Sequence, residues 1–260
     1  MIFDIMTLFP DYVAFILGES IIGRAQKNGH IKIRCHNIRD YSKDKHRRVD
    51  DTPYGGGKGM LMAAPPIYDC YRAITDANRS EFGELKTRVI FMSPSGSVFN
   101  QKKARELAQY ENLIILCGHY EGVDRRVIDE ICDEEISVGD YVLTGGEIPA
   151  CIVTDAVARL CPGVLSDAEC HEVESFSGGL LEYPQYTRPF EFHGVKVPEV
   201  LISGHHENIE KWRREQAFLL TVKNRPDMIT ATGKEDPLEE NKEKKRKPRN
   251  SRPDDNDADG

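Results

Sequence analysis

The sequence predicts an α/β protein with a largely parallel sheet, followed by a small, mostly helical C-terminal domain. Three observations carry that expectation. Short apolar runs alternate with helical stretches through the first 160 or so residues, the pattern of a parallel sheet with helical crossovers. Gly-rich turns follow several of those runs. After Pro162-Gly163 the chain changes character, through a polar stretch into a long helix.

Ile2 to Leu8 is apolar and β-prone, and Phe9-Pro10 ends it; Pro10 opens a helix through Leu17. Ile31 to Cys35 alternates apolar and basic residues, as a half-buried strand does. Arg39 to Gly59 is a long polar loop, and loops of that length in a compact domain are usually functional or disordered. Pro65 to Ala77 reads as a helix. Arg88 to Met92 is a strand closed by the turn Ser93 to Gly96, and Gln101 to Ala108 is helical. Leu113 to Cys117 is a second buried strand, then comes the turn Gly118 to Gly122 and a helix from Val123 to Cys132. A short strand ends near Val138, and GDYVLTGGE leads into a helix from Ile148 to Leu160 that Pro162-Gly163 breaks. Residues 1–162 thus form one domain and 163–178 a linker. Residues 179–233 form the second domain, with a helix from His205 to Val222. Residues 234–260, a basic run followed by acids, form a disordered tail.

The net charge of −8 argues against general phosphate affinity, although a local basic face can coexist with it. Seven cysteines with no C-x-x-C spacing fit neither a disulfide framework nor a zinc cluster, and fit a reducing cytoplasm. Cys117, Cys132, Cys151 and Cys161 sit in apolar runs and read as core residues. The opening residues do not have the pattern of a signal peptide, and no apolar stretch is long enough to span a membrane.

In a parallel sheet, ligands bind outside the carboxyl ends of the strands. Three Gly-rich loops follow strands here, at 93–96, 118–122 and 139–146. Together they predict a cleft lined largely by main chain. Familiar nucleotide motifs do not fit. YGGGKG lacks the Ser or Thr and the spacing of a phosphate loop, and no G-x-G-x-x-G joins a strand to a helix. The basic stretch 39–51, which includes Tyr41 and His46, suits either RNA contacts or a solvated loop. These features imply an α/β enzyme with a backbone-lined cleft and do not name its substrate.

The wording of the loops is more specific. DDTPYGGGKGM (50–60), SPSG, CGHYEG, SVGDYVLTGGE (137–147), PGVL (162–165), ESF (174–176) and YPQYTRP (183–189) occur in that order. They closely resemble the bacterial tRNA (guanine-N1)-methyltransferase family, TrmD, over roughly residues 1–230. The resemblance implies a SPOUT-type α/β domain whose C-terminal part forms a trefoil knot. It also implies a homodimer with the active site built from both subunits. The implied reaction is methyl transfer from S-adenosylmethionine to N1 of the guanine immediately 3′ of the anticodon (tRNA position 37), in tRNAs with a preceding guanine. Magnesium assists in the family, but no motif marks a metal site here. Neither DNA nor a membrane is an expected partner.

Carried over onto this sequence, the resemblance implies a cofactor site of Ser93, Pro94, Gly96, Gly118, Tyr120, Glu121, Val138, Gly139, Asp140, Tyr141, Val142, Leu143, Gly145 and Gly146. Arg159 matches the family arginine near guanine O6. Glu174 falls where the family usually has the Asp general base. It carries the same charge with about 1.5 Å more reach; either the linker compensates, or Glu172 or Glu169 is the base. In the helical domain, Arg188, Lys211, Arg213 and Arg214 are the implied phosphate contacts, with Lys58 as a further candidate. A ribose 2′-O-methyltransferase of the same superfamily and a catalytically dead RNA-binding module are the competing readings.

Overall fold

The computed structural model describes residues 1–165 and 174–232, with side chains through residue 229. Glu169, Cys170, Glu172 and the tail 234–260 lie outside the described residues. The chain divides into two compact units, Met1–Ala168 and Glu169–Gly260.

The first unit runs β1 (Ile2–Thr7), α1 (Pro10–Leu17), α2 (Ser20–Lys27), β2 (Lys32–Asn37), a 3-10 turn (Ile38–Tyr41), the short strands β3 (Asp50–Asp51) and β4 (Leu61–Met62), and α3 (Ala64–Phe82). It continues with β5 (Thr87–Val98), α4 (Gln101–Leu107), β6 (Asn112–Cys117), α5 (Arg125–Ile131), β7 (Glu134–Ser137) and α6 (Glu147–Ala158). The main sheet has the order β2-β1-β6-β5-β7, and every pairing in it is parallel. Parallel strands need helical crossovers, and these cover both faces. One face packs Phe3, Ile5, Leu113 and Ile115 against Val13 of α1, Ala104 of α4 and Val153 and Val157 of α6. The other packs Met6, Ile114 and Leu116 against Ile67 and Ile74 of α3 and Val127 and Ile128 of α5. That is why β1 and β6 are buried along their whole length rather than at alternate residues. Each such Leu or Ile contributes about 1.5–3 kcal/mol by leaving water.

Helix starts follow their sequence signals. Pro10 occupies the first turn of α1. The Asn100 side chain accepts from Lys103 N at 3.0 Å, and that of Asp124 from Arg126 N at 3.0 Å, capping α4 and α5. One helix falls where the sequence carried no reading, and one strand runs further than expected. The run Ser20–Lys27 forms a helix although its apolar residues are few; Ile22 and Ala25 suffice to bury one face. The strand at 88–92 does not end at Ser93: its register with β7 shifts between Met92 and Ser97, and Ser97 and Val98 rejoin the same neighbour. Residues 93–96 are therefore a bulge within β5 rather than a terminal turn.

The second unit holds the hairpin β8 (Glu191–Phe192) and β9 (Val195–Lys196), then α7 (Glu199–Ile202), α8 (His206–Asn224) and α9 (Pro226–Thr232). Its small core centres on Ala217, Phe218 and Thr221 of α8. Thr221 Oγ1 donates to Ala217 O and accepts from Leu181 N at 2.9 Å, which fastens the preceding chain to the helix. Among the described residues, no helix is long and apolar enough to cross a membrane.

Candidate active site

The carboxyl ends of β5, β6 and β7 open onto a cavity of about 250 Å³. Its walls come from the bulge within β5 and from the loops that leave β6 and β7. The bulge supplies Ser93 and Pro94. The loop after β6 supplies Gly118, His119, Tyr120, Glu121 and Gly122. The loop after β7 supplies Val138, Gly139 and Tyr141 through Gly146, and Phe91, Met92, Ile136, Ser137 and Pro149 complete the lining. Of the residues expected at the cofactor site, Gly96 and Asp140 are not on this wall. Gly96 is packed against β7: a Cβ there would lie 2.4 Å from the Glu135 carbonyl carbon. His119, Thr144 and Pro149 line the cavity without having been singled out from the sequence; His119 and Thr144 stand inside the named loops, which is the signal that could have found them.

The loops hold their shape through local bonds and close packing. Ser93 Oγ and Ser95 Oγ share a hydrogen bond of 2.7 Å. Ser137 Oγ donates to Gly139 O at 3.0 Å and accepts from Gly139 N at 3.2 Å, and Gly139 turns the chain at φ 147°. Tyr141 N donates back to Gly139 O at 2.9 Å. Gly146 N donates to Gly118 O at 2.8 Å, tying the loop after β7 to the loop after β6. A Cβ on Gly146 would lie 2.8 Å from Cys117 Cα and 2.9 Å from Gly118 N, so only glycine lets the loops meet this closely. Tyr120 adopts φ 60°, costly for a residue with a side chain. Its hydroxyl meets Arg39 Nη2 at 3.1 Å and its ring stands edge-on to His119.

Charge decides what the cavity can hold. Its lining includes one carboxylate, Glu121, and neither lysine nor arginine. Apolar side chains (Phe91, Ile136, Val138, Leu143, Pro149) supply flat and aliphatic surface. Such a site suits a ligand with an apolar ring and a positive charge, and is ill suited to a phosphorylated cofactor.

Arg159 and the basic stretch do not line this cavity. Arg159 caps the C-terminal end of α6, its N–H bonded to Asp155 O at 3.0 Å. Burial pushes the Asp155 carboxyl up, and the Arg159 charge partly counters that. Glu174 is a half-buried residue of the second unit, where its carbonyl accepts from Ser177 N at 3.1 Å. In the basic stretch, Lys43 pairs with Asp69 at 2.7 Å, Arg47 with Asp40 at 3.1 Å and Arg48 with Asp44 at 2.9 Å. Two of these pairs lie within the stretch, and Asp69 reaches the third cation from α3. Hydrogen bonds from Arg48 and the His46 backbone hold the Asp44 carboxyl well below the usual range. Tyr54 and Lys58 stand exposed on the glycine loop.

The profile of the family described as "tRNA (Guanine-1)-methyltransferase TrmD" matches residues 1–231. The chain belongs to the TrmD family. It is 58% identical over 229 residues to a tRNA (guanine-N(1)-)-methyltransferase of Ruminiclostridium cellulolyticum, covering 88% of this chain and 96% of that protein. A protein of the same name from Lachnospira eligens is 55% identical over 228 residues, covering 88% and 94%. One from Clostridium perfringens is 54% identical over 226 residues, covering 87% and 92%.

Within this TrmD family member, the second unit presents a mixed set of cations. Arg188, Lys211 and Arg214 stand exposed there. Arg213 is already engaged, its guanidinium 2.6 Å from Glu210 and 5.0 Å over the Tyr183 ring. Tyr186 and Trp212 pack with ring centres 6.3 Å apart. Among the described residues, no group of three His, Cys, Asp or Glu side chains is placed to hold a metal.

Proposed function

We propose that this chain is an S-adenosylmethionine-dependent methyltransferase that modifies N1 of the guanine at tRNA position 37, where another guanine precedes it. Family membership supports the reaction, and the observation that carries the donor is the cavity. An acid-bearing, cation-free pocket with apolar walls matches a sulfonium and an ammonium attached to adenosine. Close glycine packing leaves main chain on the wall, and main-chain donors and acceptors read a purine edge without loss of side-chain entropy.

When bound, the donor supplies a methyl group already activated by positive sulfur. The protein's task is alignment and deprotonation. Gly118, Val138, Tyr141 and Leu143 orient the adenosine in this reading, and the Glu121 carboxylate faces the positive end. Removing the guanine N1 proton builds negative charge on O6. Glu174 accepts that proton and Arg159 stabilises the charge. Magnesium remains an expectation of the family alone, and no step here depends on it.

The reading requires two copies of the chain. The cavity lies at the first turn of α6 and Arg159 at its last. Twelve helical residues at about 1.5 Å each separate them by roughly 18 Å, farther than an arginine reaches. Ile148, Ile152, Asp155 and Arg159 follow one another on one stripe of α6, and both isoleucines are exposed. A homodimer covering that stripe brings one protomer's Arg159 towards its partner's cavity. A trefoil knot formed by the C-terminal part of the first unit, an expectation from the family alone, belongs to the same reading. So do the roles of residues 179–233 as the tRNA-gripping domain, of 163–178 as the linker carrying the base, and of the tail 234–260 as an accessory. A cytoplasmic location fits the free thiols of the six described cysteines.

The test is methyl transfer to an unmodified transcript with guanines at positions 36 and 37, followed by nucleoside analysis. N1-methylguanine is expected, and Glu174→Gln lowers kcat at least about 10²-fold. Methylated ribose, or no product from folded protein, overturns the reading.

A further inference from the structure

Behind the cavity wall lies a carboxylate that the reaction does not use. Glu147, the first residue of α6, is 4% exposed and is not part of the lining. Its Oε1 accepts from Thr7 Oγ1 at 2.8 Å. Thr7 is the last residue of β1, is fully buried, and its Oγ1 accepts from Phe9 N at 2.9 Å. The second carboxylate oxygen lies against Gly145: a Cβ built there would be 2.4 Å from Glu147 Oε2 and 2.7 Å from His119 Cδ2. His119 in turn packs on Phe9 with ring centres 5.1 Å apart. The end of β1, the loop after β6 and the loop before α6 therefore converge on one side chain.

We propose that Glu147 is a positioning residue for the methyl donor: clasped by Thr7, it fixes the Gly145–Gly146 wall against the His119 loop. This rests on the function proposed above. Burying a carboxylate is expensive, and an apolar residue of similar volume would fill the same space more cheaply. What the carboxylate adds is direction. One oxygen is held by the Thr7 hydroxyl, the other abuts the glycine wall, and the N-terminal turn of α6 favours its charge. Gly146 N then meets Gly118 O, the contact that sets the distance between the loops after β6 and β7.

The experiment measures S-adenosylmethionine and S-adenosylhomocysteine binding by calorimetry, the KM for each substrate, and hydrogen exchange at 139–146 in the ligand-free protein. Thr7→Val and Glu147→Asp, which break the clasp in different ways, are expected to weaken both ligands about tenfold, the size for a lost charge-assisted hydrogen bond. They speed exchange across 139–146 and leave the KM for tRNA within about twofold. Thr7→Ser, which keeps the hydroxyl, restores both values. Should Thr7→Val not fold, Glu147→Asp and Thr7→Ser carry the test. Unchanged donor affinity in a folded clasp-breaking variant overturns the proposal, as does an equal loss of donor and tRNA affinity. Wild-type protein that binds no donor overturns the proposed function instead, so the two failures are distinguishable.

Discussion

Asp4 shows how one residue of the sheet governs acid stability. It is fully buried on β1, opposite Arg34 of β2. Burial pushes its carboxyl up, but hydrogen bonds from His36, Arg34 and Asn78 outweigh that and hold it at about 2. Arg34 donates twice at 2.7 Å, His36 Nε2 lies at 2.7 Å, and the Asn78 and Asn112 amides donate at 3.0 and 2.8 Å. A carboxyl depressed in the folded state stabilises it fully above the unfolded value near 4, and that contribution is lost as pH falls through 2. We expect about 2 kcal/mol of unfolding free energy to disappear between pH 4 and pH 2. Asp4→Asn removes most of that acid dependence. It also costs about 3 kcal/mol at pH 7, because Arg34 and His36 lose the buried carboxylate they share and Arg34 is left with the more distant carboxylate of Glu81, at 3.6 Å. Urea unfolding of both proteins at pH 7, 4 and 2.5 checks the sign and the size.

At the scale of elements, the bulge in β5 and the loops after β6 and β7 are the working parts, and Gly146 sets how closely the two loops approach. Gly146 has an ordinary backbone conformation, φ −83°, so alanine is not excluded by torsion. It is excluded by space, because its Cβ would press on Cys117 and Gly118 main chain. Gly146→Ala is expected to part the two loops by a few tenths of an ångström and weaken S-adenosylmethionine binding by about 10²-fold. Calorimetry on the folded variant reads this, and unchanged affinity would mean the wall is not set there. These loops were legible in the sequence because glycine and serine clustered directly after an apolar run mark a place where the chain turns tightly at a strand end. The bulge at 93–96 was not, since nothing local announces that Ser97 and Val98 rejoin β7. Nor was Glu147: an acid at a helix start reads as a solvated first-turn residue. Only the arrival of Thr7, 140 positions away, makes it a buried anchor. The stretch 39–51 left RNA contacts and a solvated loop equally open, because the sequence shows its cations and acids but not which of them pair, as Arg47 does with Asp40 and Arg48 with Asp44.

At the scale of the whole molecule, a single chain leaves apolar surface uncovered on two neighbouring helices. Tyr12, Phe15 and Ile16 lie on one face of α1 and are exposed, Phe15 by 73%, and Ile148 and Ile152 are exposed on α6, which packs beside it. Neighbouring apolar faces of this kind are where the proposed homodimer would bury surface. With Arg159 at the far end of the same α6 stripe, a partner on that face would complete the chemistry as well as cover the surface. Phe15→Asp is expected to shift the protein to monomer in sedimentation velocity and to abolish methyl transfer while leaving its fold intact. A mixing experiment separates sharing from mere dimerisation. Arg159→Ala keeps its cavity, Gly146→Ala keeps its arginine, and at a donor concentration near the wild-type KM, where a cavity with about 10²-fold weaker binding stays nearly empty, each alone has little activity. If the arginine acts across the interface, co-expressed mixed dimers hold one complete site of two, and about a quarter of wild-type activity returns in a random mixture. If it acts within its own chain, no mixed dimer has a working site and the mixture stays as low as either variant alone.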